Sequence, residues 1–279
     1  MKKTLLCFLF ITILGTACSN DNYSTTIRFP YKWLDEPGFG SDIDPERRII
    51  EPSGICFHPS RKTLFVVSDE GMLFEIKTDG VPVSGIQIPG DLEGITVDPQ
   101  TGFLYVIIEG EDIILEFDPV DQAVTREFPI NRSWQGDPNY IQKQQKTFDQ
   151  GVESLVFVPD EDHPEGGTFY AGNQWDPPCV FELYVPLNSS QEKTAEAKIL
   201  RVLPLELDDP AAMYYDPDTK LLNVVSDADN ILVEITLEGK IVKEYAFLGD
   251  NQEGITRDDQ GFLYIAQDSG GILRVKDLR

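Results

Sequence analysis

Three glutamates occupy the same place in three similar stretches of this chain. Each precedes a small residue and a short apolar run, in Glu93-Gly94-Ile95, Glu153-Ser154-Leu155 and Glu253-Gly254-Ile255. Carboxylates brought close together repel one another, which raises their pKa values or calls for a cation. Calcium accepts about six to eight oxygen ligands in flexible geometry, whereas magnesium demands stricter octahedral coordination. If the fold brings these three glutamates together, the sequence predicts a calcium site.

The stretches that contain these glutamates repeat a pattern of short strands. Residues 251–279 hold three apolar runs separated by the turn Asp258-Asp259-Gln260-Gly261 and by a glycine-rich turn, which predicts a β-meander. Similar stretches begin near residues 51, 91, 151 and 209. A small sheet repeated in this way is typical of a β-propeller. The predicted fold is therefore all-β, a five-bladed β-propeller.

The N-terminal strand is predicted to close the ring of blades. The first four repeats end in a fourth strand, at residues 83–89, 123–130, 198–205 and 240–247, whereas the last repeat ends without one. Residues 25–31 match the missing strand, and we expect them to pair with residues 272–275. Closure of this kind removes an exposed sheet edge, which would otherwise promote aggregation.

In a propeller, the residues that open the first strands and those that follow the second strands meet at one end of the central channel. The opening positions hold Ser53, Glu93, Glu153, Ala211 and Glu253. The exit positions hold Asp69, Glu109, Asn173, Asp227 and Asp268. We call this end of the channel the acidic mouth. Glu93, Glu153 and Glu253 are the predicted metal ligands, and the five exit residues are additional candidates. The alternative is a hydrated acidic channel without a metal.

Other polar residues are interpreted as structural. Glutamates recur in the third strands, where we expect solvated charges on the outer face rather than ligands; these are Glu75, Glu116, Glu182 and Glu234. The chain's two histidines, His58 and His163, fall in turns on the face opposite the acidic mouth. A zinc site of cysteine and histidine ligands is therefore not expected, and Cys56 and Cys179 are predicted to be free thiols.

The N-terminus has the pattern of an exported lipoprotein. Lys2 and Lys3 precede an apolar run at residues 5–14, and Gly15-Thr16-Ala17-Cys18 follows. Positive, apolar and small residues in this order indicate a secretory signal, and the run is too short for an ordinary membrane span. We predict a signal peptide at residues 1–17, a lipidated Cys18, a tether at residues 18–24 and a propeller domain at residues 25–279. Ordinary cleavage beside an incidental cysteine is the alternative.

The charge of the chain excludes some partners. It carries 48 acidic and 23 basic residues, with a formal net charge of −25. Such a field repels nucleic acid and anionic membrane surfaces and attracts cations. We therefore expect no nucleic-acid partner. We expect the protein to lie in the cell envelope and to associate with the membrane through its lipid anchor.

Several motifs together resemble the SdiA-regulated lipoprotein family. They are Leu92-Glu93-Gly94-Ile95-Thr96, Gln252-Glu253-Gly254-Ile255-Thr256, Ser68-Asp69-Glu70 and Phe148-Asp149-Gln150-Gly151-Val152-Glu153-Ser154. The resemblance covers nearly the whole mature chain. It implies a five-bladed propeller distantly related to NHL-repeat proteins, with a calcium site that maps onto Glu93, Glu153 and Glu253. Ser53 and Ala211 depart from the pattern, so the number of ligands stays open.

Two functions follow from these observations. The first is an exported, lipid-anchored, calcium-binding propeller that binds a small ligand, glycan or protein partner at the acidic mouth. The alternative is a calcium-dependent hydrolase, because residues 252–268 resemble a blade of the β-propeller phytases and gluconolactonase-type lactonases also hold a central calcium. Phytate is highly anionic, however, and the mouth is acidic; the chain also has no Gly-x-Ser-x-Gly motif. Whether the protein is an enzyme, or has a purely structural role, stays open.

Overall fold

The computed structural model describes residues 27–35, 40–141 and 151–279, and these residues form strands and turns. The all-β prediction is confirmed. Within these three ranges, no helix has the length and apolar character needed to cross a membrane. The predicted signal peptide, the lipidated Cys18 and the tether all lie outside the described residues.

After two short N-terminal strands, β1 (Ile27–Arg28) and β2 (Tyr31–Trp33), the strands follow one another in five meanders that form four sheets. The last strands of meanders 2 and 3 pair in parallel and join these two meanders into one eight-stranded sheet. Meander 1 contains β3 (Pro52–His58), β4 (Thr63–Ser68), β5 (Met72–Lys77) and β6 (Pro82–Gln87). Meander 2 contains β7 (Leu92–Val97), β8 (Leu104–Ile108), β9 (Ile113–Asp118) and β10 (Ala123–Asn131). Meander 3 contains β11 (Val152–Pro159), β12 (Gly167–Asn173), β13 (Cys179–Tyr184) and β14 (Ala197–Val202). Meander 4 contains β15 (Ala212–Asp216), β16 (Leu221–Ser226), β17 (Ile231–Ile235) and β18 (Ile241–Ala246). Meander 5 contains β19 (Gln252–Arg257), β20 (Phe262–Gln267) and β21 (Ile272–Asp277).

The N-terminal segment supplies the fourth strand of meander 5, as predicted, but with different residues. Strand β2 pairs antiparallel with β21, so that Tyr31 lies opposite Asp277 and Trp33 opposite Val275. Strand β1 instead pairs in parallel with β18 of meander 4. The prediction that residues 25–31 pair with residues 272–275 is therefore wrong in its boundaries. Pro30 has no amide hydrogen and interrupts the ladder between β1 and β2, which lets the segment cross from meander 4 to meander 5.

The first strands of the meanders contact one another in a ring. Strand β3 packs against β7, β7 against β11, β11 against β15, β15 against β19, and β19 returns to β3. Threonine hydroxyls reinforce two of these contacts: Thr96 Oγ1 accepts from Phe157 N at 3.0 Å, and Thr256 Oγ1 accepts from Phe57 N at 3.0 Å. The second bond joins meander 5 to meander 1. The innermost strands thus surround a common axis.

The hydrophobic core lies between neighbouring meanders. In the described part of the chain it falls into five clusters, and each cluster draws its side chains from two meanders that adjoin in the ring. Full burial of one large apolar side chain stabilises a fold by about 1.5–3 kcal/mol, so the meanders are held together mainly by these shared layers. Cys56 and Cys179 are buried in them as free thiols, as predicted.

The third-strand glutamates are paired, and the prediction that they are solvated is wrong. Arg61 Nη2 lies 2.9 Å from Glu75 Oε2, Arg126 pairs with Glu116, Arg201 Nε lies 2.5 Å from Glu182 Oε2 and Arg279 Nη1 lies 2.8 Å from Glu234 Oε1. Glu75 and Glu116 are each 4% exposed. These arginines hold the carboxylates in charged, hydrogen-bonded pairs, which explains how they are tolerated inside the sheets.

Candidate metal centre

β-Bulges place the opening glutamates. The strand register shifts between Val152 and Ser154, and between Gln252 and Gly254, so that Glu153 and Glu253 are the extra residues of their strands. A similar shift between Leu92 and Ile95 includes Glu93. Bulges redirect a side chain and are common beside functional sites. The repeated bulge therefore gives the three glutamates the same placement in meanders 2, 3 and 5.

Backbone hydrogen bonds clamp the exit loops onto the opening loops. Glu109 N donates to Asp91 O at 2.9 Å, and Asp268 N donates to Asn251 O at 2.9 Å. Gln174 N, directly after the exit residue Asn173, donates to Gly151 O at 2.9 Å. Each acceptor stands two residues before an opening glutamate. Opening and exit side chains of one meander are thus held at the same end of the channel.

Meanders 4 and 5 are joined at this end by a side chain. Asp227 Oδ1 accepts a hydrogen bond from Gln252 N at 2.8 Å. Asp227 is the exit residue of meander 4, and Gln252 directly precedes the opening residue Glu253. This bond fixes one carboxylate of the mouth against the strand that carries another.

The three opening glutamates lie close enough to change one another's ionisation. Burial is the main cause that raises the pKa of Glu93 well above its usual range, and the charges of Glu153 and Glu253 raise it further. Burial raises the pKa of Glu253 to about 9, with Asp268 and Asp69 as the next causes. Carboxylates from three meanders therefore lie near one another, where burial disfavours their ionised forms.

The remaining mouth carboxylates belong to the same electrostatic group. Burial raises the pKa of Glu153 strongly, and Asp209, Glu109 and Glu253 add to the effect. The pKa of Asp69 is raised to about 6, chiefly by burial, and the charges of Asp91 and Asp268 also raise it. In the absence of a cation, the folded mouth therefore retains protons near neutral pH.

Two trios of carboxylates have oxygen atoms within 4.8 Å of one another. One is Asp69, Asp91 and Glu93, and the other is Asp69, Glu253 and Asp268. Asp69 belongs to both. Each trio offers only oxygen donors, which are the ligands that calcium and magnesium prefer.

Unsatisfied acceptors at the mouth also fit a cation. Asn173 is 1% exposed, and its Nδ2 donates to Trp175 O at 2.5 Å and to Pro177 O at 2.8 Å. These bonds orient the amide and leave Asn173 Oδ1 buried without a hydrogen-bond partner, and Asp69 Oδ1 is in the same condition. Buried polar atoms without partners are rare and call for an unseen water or ion. The donor set therefore fits a hard cation.

Most of the predicted site residues lie at one end of the channel. Glu93, Glu153 and Glu253 come together, and Asp69, Glu109, Asp227 and Asp268 lie near enough to raise the pKa of at least one of them. Asn173 lies opposite Val152 in the ladder, next to Glu153. Ser53 contributes no carboxylate, and its hydroxyl donates to Leu92 O at 2.8 Å. The role of these residues as metal ligands stays a prediction.

Sequence reasoning missed two carboxylates of the mouth, Asp91 and Asp209. Each stands two residues before an opening position, where the chain turns into the first strand. Asp209 adopts a left-handed backbone with φ of 50° and is 6% exposed, and burial raises its pKa. It supplies a carboxylate to meander 4, whose opening residue is Ala211. An acidic residue at this spacing, seen in both repeats, was the available signal.

Both histidines are engaged in turns. His58 Nε2 lies 3.1 Å from Gly102 O, and His163 Nδ1 accepts from Glu165 N at 3.2 Å. His58 is the last residue of β3 and His163 follows β11, so both lie at the end of the channel away from the opening residues. Proton transfer at the acidic mouth would therefore depend on the carboxylates.

Repeated meanders around a common axis, with carboxylates gathered at one end, define a β-propeller. The crystal structure of Myxococcus xanthus glutaminyl cyclase matches with a TM-score of 0.54 and 12% identity, over 81% of this chain and 90% of that one. At this identity the similarity concerns the fold. A family model described as SdiA-regulated matches residues 35–269, and the chain belongs to that family. The resemblance found in the sequence is thereby confirmed.

Two other solved structures are similar over most of this chain. A Bacteroides caccae protein of unknown function shares 15% identity with a TM-score of 0.48, over 79% of this chain and 72% of that one. Kuenenia stuttgartiensis hydrazine synthase shares 16% identity with a TM-score of 0.46, over 78% of this chain. This chain spans only 56% of that hydrazine synthase chain.

Proposed function

We propose that this protein is a five-bladed, calcium-binding β-propeller, exported and held in the cell envelope by a lipid on Cys18. Each meander is one blade, and the ring of first strands supports this count. The signal pattern that ends at Cys18 supports export and lipidation. The acidic mouth binds calcium and, above it, a small ligand, glycan or protein partner.

The convergence of Glu93, Glu153 and Glu253 carries the calcium proposal. Their pKa values are raised by burial first and then by neighbouring carboxylates of the mouth, which means that their ionised forms are unfavourable in the folded protein without a counter-charge. A divalent cation relieves this repulsion and also satisfies the buried Oδ1 atoms of Asp69 and Asn173. Calcium suits the site better than magnesium because the donors are numerous and come from separate loops.

Groups around the mouth suit a further ligand. Trp175, in the exit loop of meander 3, is 41% exposed, and its carbonyl accepts from the side chain of Asn173. Trp134, in the segment between meanders 2 and 3, packs partly against the core. An exposed indole beside a cluster of carboxylates provides a stacking surface for a sugar ring or a planar group. These features favour the binding of a small ligand or glycan at the acidic mouth, above the proposed calcium site.

Titration calorimetry of the full chain with calcium tests the proposal. After chelator treatment and dialysis, we expect saturable binding by the wild type and at least about tenfold weaker binding by Glu153→Gln, which removes one negative ligand without a large change of shape. Glu238→Gln is the matched control, because Glu238 is exposed in a turn after β17. Absence of heat from the wild type at millimolar calcium would contradict the proposal, as would equal affinity of Glu153→Gln.

The phytase form of the hydrolase alternative depends on cationic side chains that recognise an anionic substrate. Two arginines lie in loops on the mouth side, and both are already paired: Arg47 Nη1 lies 2.5 Å from Asp42 Oδ2, and Arg132 is bonded to Asp112. Calcium-dependent hydrolysis of phytate or of a lactone by the wild type, lost in Glu153→Gln, would establish the alternative. Equal rates in the two proteins would argue against it.

A further inference from the structure

A second cavity lies at the end of the channel opposite the acidic mouth. Its volume is about 430 Å³, and it is lined by the ends of all the first strands and by the turns that follow them. Each meander contributes an apolar wall residue; these are Ile55, Ile95, Val156, Met213 and Ile255. A volume in this range suits a small molecule rather than a single ion.

An apolar collar separates this cavity from the carboxylates. Ile55, Ile95, Met213 and Ile255 line the cavity and also a constriction of about 10 Å³ farther along the axis, which Glu253 borders. A space of that size is about the smallest that can hold one water molecule. A ligand in the cavity therefore does not reach the calcium ligands, and the two ends of the channel are distinct sites.

Aromatic side chains form part of the cavity wall. Phe57 and Phe157 come from the first strands of meanders 1 and 3, and Tyr214 and Tyr215 from that of meander 4. Both tyrosines are half-buried. Apolar and aromatic walls with few polar groups are typical of sites for small organic molecules, since they favour burial of ring surface.

Arg257 provides an unused hydrogen-bond donor in this cavity. Its Nε is buried without a hydrogen-bond partner. The carboxylates of Asp216, Asp218 and Asp277 lie near its guanidinium, but each at 3.7 Å, beyond hydrogen-bond distance. In contrast, Arg61 hydrogen-bonds its carboxylate partner at 2.9 Å. The Arg257 side chain as a whole is 23% exposed and contacts Tyr214, so Nε is the one donor that these neighbours leave without an acceptor. A buried donor of this kind is a position where a bound acceptor would be favoured.

The charge around the cavity selects against anions. Asp218, Asp258 and Asp259 also line it. Lys62 Nζ lies 2.6 Å from Asp259 Oδ2, and the other two aspartates still outnumber Arg257. The chain as a whole carries a net charge of −25. A negatively charged ligand would be repelled by this field, whereas a neutral carbonyl oxygen can accept from Arg257 without that penalty.

We propose that this cavity binds a neutral, largely apolar small molecule that contains a ring and a carbonyl acceptor for Arg257. The ring lies against the tyrosines and the branched side chains of the collar, and the carbonyl oxygen accepts from the guanidinium. This site is independent of calcium at the acidic mouth.

Nile red is a suitable probe, because it is neutral, planar and carries a carbonyl group. Titration of the full chain, followed by fluorescence well below the melting temperature, should show saturable one-to-one binding. Arg257→Met should weaken it by about threefold to tenfold, and Met213→Trp, which fills the cavity, should weaken it by more than about tenfold. Circular dichroism checks that each variant is folded, and Tyr215→Ala replaces Met213→Trp if the latter is not. Glu238→Gln should bind like the wild type.

Two further experiments distinguish binding in this cavity from binding at the acidic mouth and test the preferred charge of the ligand. Chelator should leave Nile red binding unchanged, so failure of the calcium proposal would not affect this one. The anionic probe 1-anilinonaphthalene-8-sulfonate should bind more weakly than Nile red. Tighter binding of the anion, absence of saturation with Nile red, or equal affinities of the wild type and both cavity variants would overturn the proposal.

Discussion

A Cβ atom added to Gly54 would lie 2.5 Å from the carbonyl oxygen of Glu93 in the neighbouring meander. The relationship recurs around the axis: a Cβ on Gly254 would lie 2.9 Å from Ile55 N, and one on Gly94 would meet the amide nitrogen of Leu155. Such distances leave room for a hydrogen atom only. The glycine that follows an opening residue therefore allows the first strands to approach, and this approach brings the opening glutamates together.

Gly54→Ala should destabilise the protein by about 2 kcal/mol or more, because the new methyl group meets backbone that cannot move without opening the ring. Gly85→Ala is the matched control. Gly85 also lies in a strand, but in the exposed outer strand β6, where the nearest atom to a Cβ would be a Phe74 ring carbon at 3.2 Å. Urea unfolding measures both. Equal stability of the two variants would show that the close approach is not needed.

Phe29→Ala should destabilise the protein by about 3–5 kcal/mol. Phe29 is 1% exposed and packs edge-on against Tyr245 and Phe247, between the outer strands of meanders 4 and 5. Trp33→Ala, in the adjacent strand β2, removes a side chain that is 46% exposed and should cost less than about 1 kcal/mol. Thermal unfolding compares the two. A larger loss for Trp33→Ala would mean that the N-terminal segment is not anchored through Phe29.

Lipidation of Cys18 should decide where the protein fractionates. The small residues before Cys18 predict cleavage and acylation there. Mass spectrometry of the mature protein should show an acylated N-terminal cysteine, and Cys18→Ser should move the protein from the membrane to the soluble fraction. Cys56→Ser is the control, since Cys56 is buried in the core and its change should leave the fractionation as it is. An unmodified mature N-terminus at another residue would refute the anchor.

The stability of the calcium-free protein should fall as pH rises from about 5 to 9. The pKa of Glu253 is about 9 in the folded protein, against about 4.3 for an exposed glutamate. Between these values the folded state holds a proton that the unfolded state has lost, so the free energy of unfolding decreases with pH. Asp69, whose pKa is raised to about 6, contributes to the decrease in the free energy of unfolding in the lower part of this pH range.

Urea unfolding in the presence of chelator measures this pH dependence. Glu253→Gln should reduce the slope, because it removes the group with the raised pKa, whereas Glu238→Gln should retain it. Saturating calcium should also reduce the slope, since the metal takes the place of the protons. A stability that rises with pH in chelator would contradict this assignment.

Much of the fold could be predicted because it depends on local patterns. Apolar runs separated by turns predicted the strands, and a glutamate followed by a small residue predicted the opening glutamates. The boundaries of the closing strand could not be read in the same way. They depend on Pro30 interrupting the ladder and on a pocket between meanders 4 and 5 that accepts Phe29, and that pocket exists only in the folded ring.

The parts of the site that were missed depend on contacts between distant residues. Asp209 enters the mouth because its backbone is left-handed and a turn places it beside the carboxylates of other meanders. Glu75 is buried because Arg61, from a turn in the same meander, reaches it. The neighbours of Asp209 and of Glu75 cannot be identified from sequence spacing alone. The alternation of residues along a strand shows which face a carboxylate lies on, but not which side chain from another element contacts it.

The melting temperature of the full chain with and without chelator tests the calcium site most directly. A ligand at a hundredfold excess over its dissociation constant stabilises the folded state by about 2.7 kcal/mol, which corresponds here to about 5–10 °C. We predict that chelator lowers the melting temperature by this amount, that calcium restores it and that magnesium restores it poorly. Glu153→Gln should lose most of the response, and Glu238→Gln should keep it. An unchanged melting temperature between chelator and millimolar calcium would contradict the account.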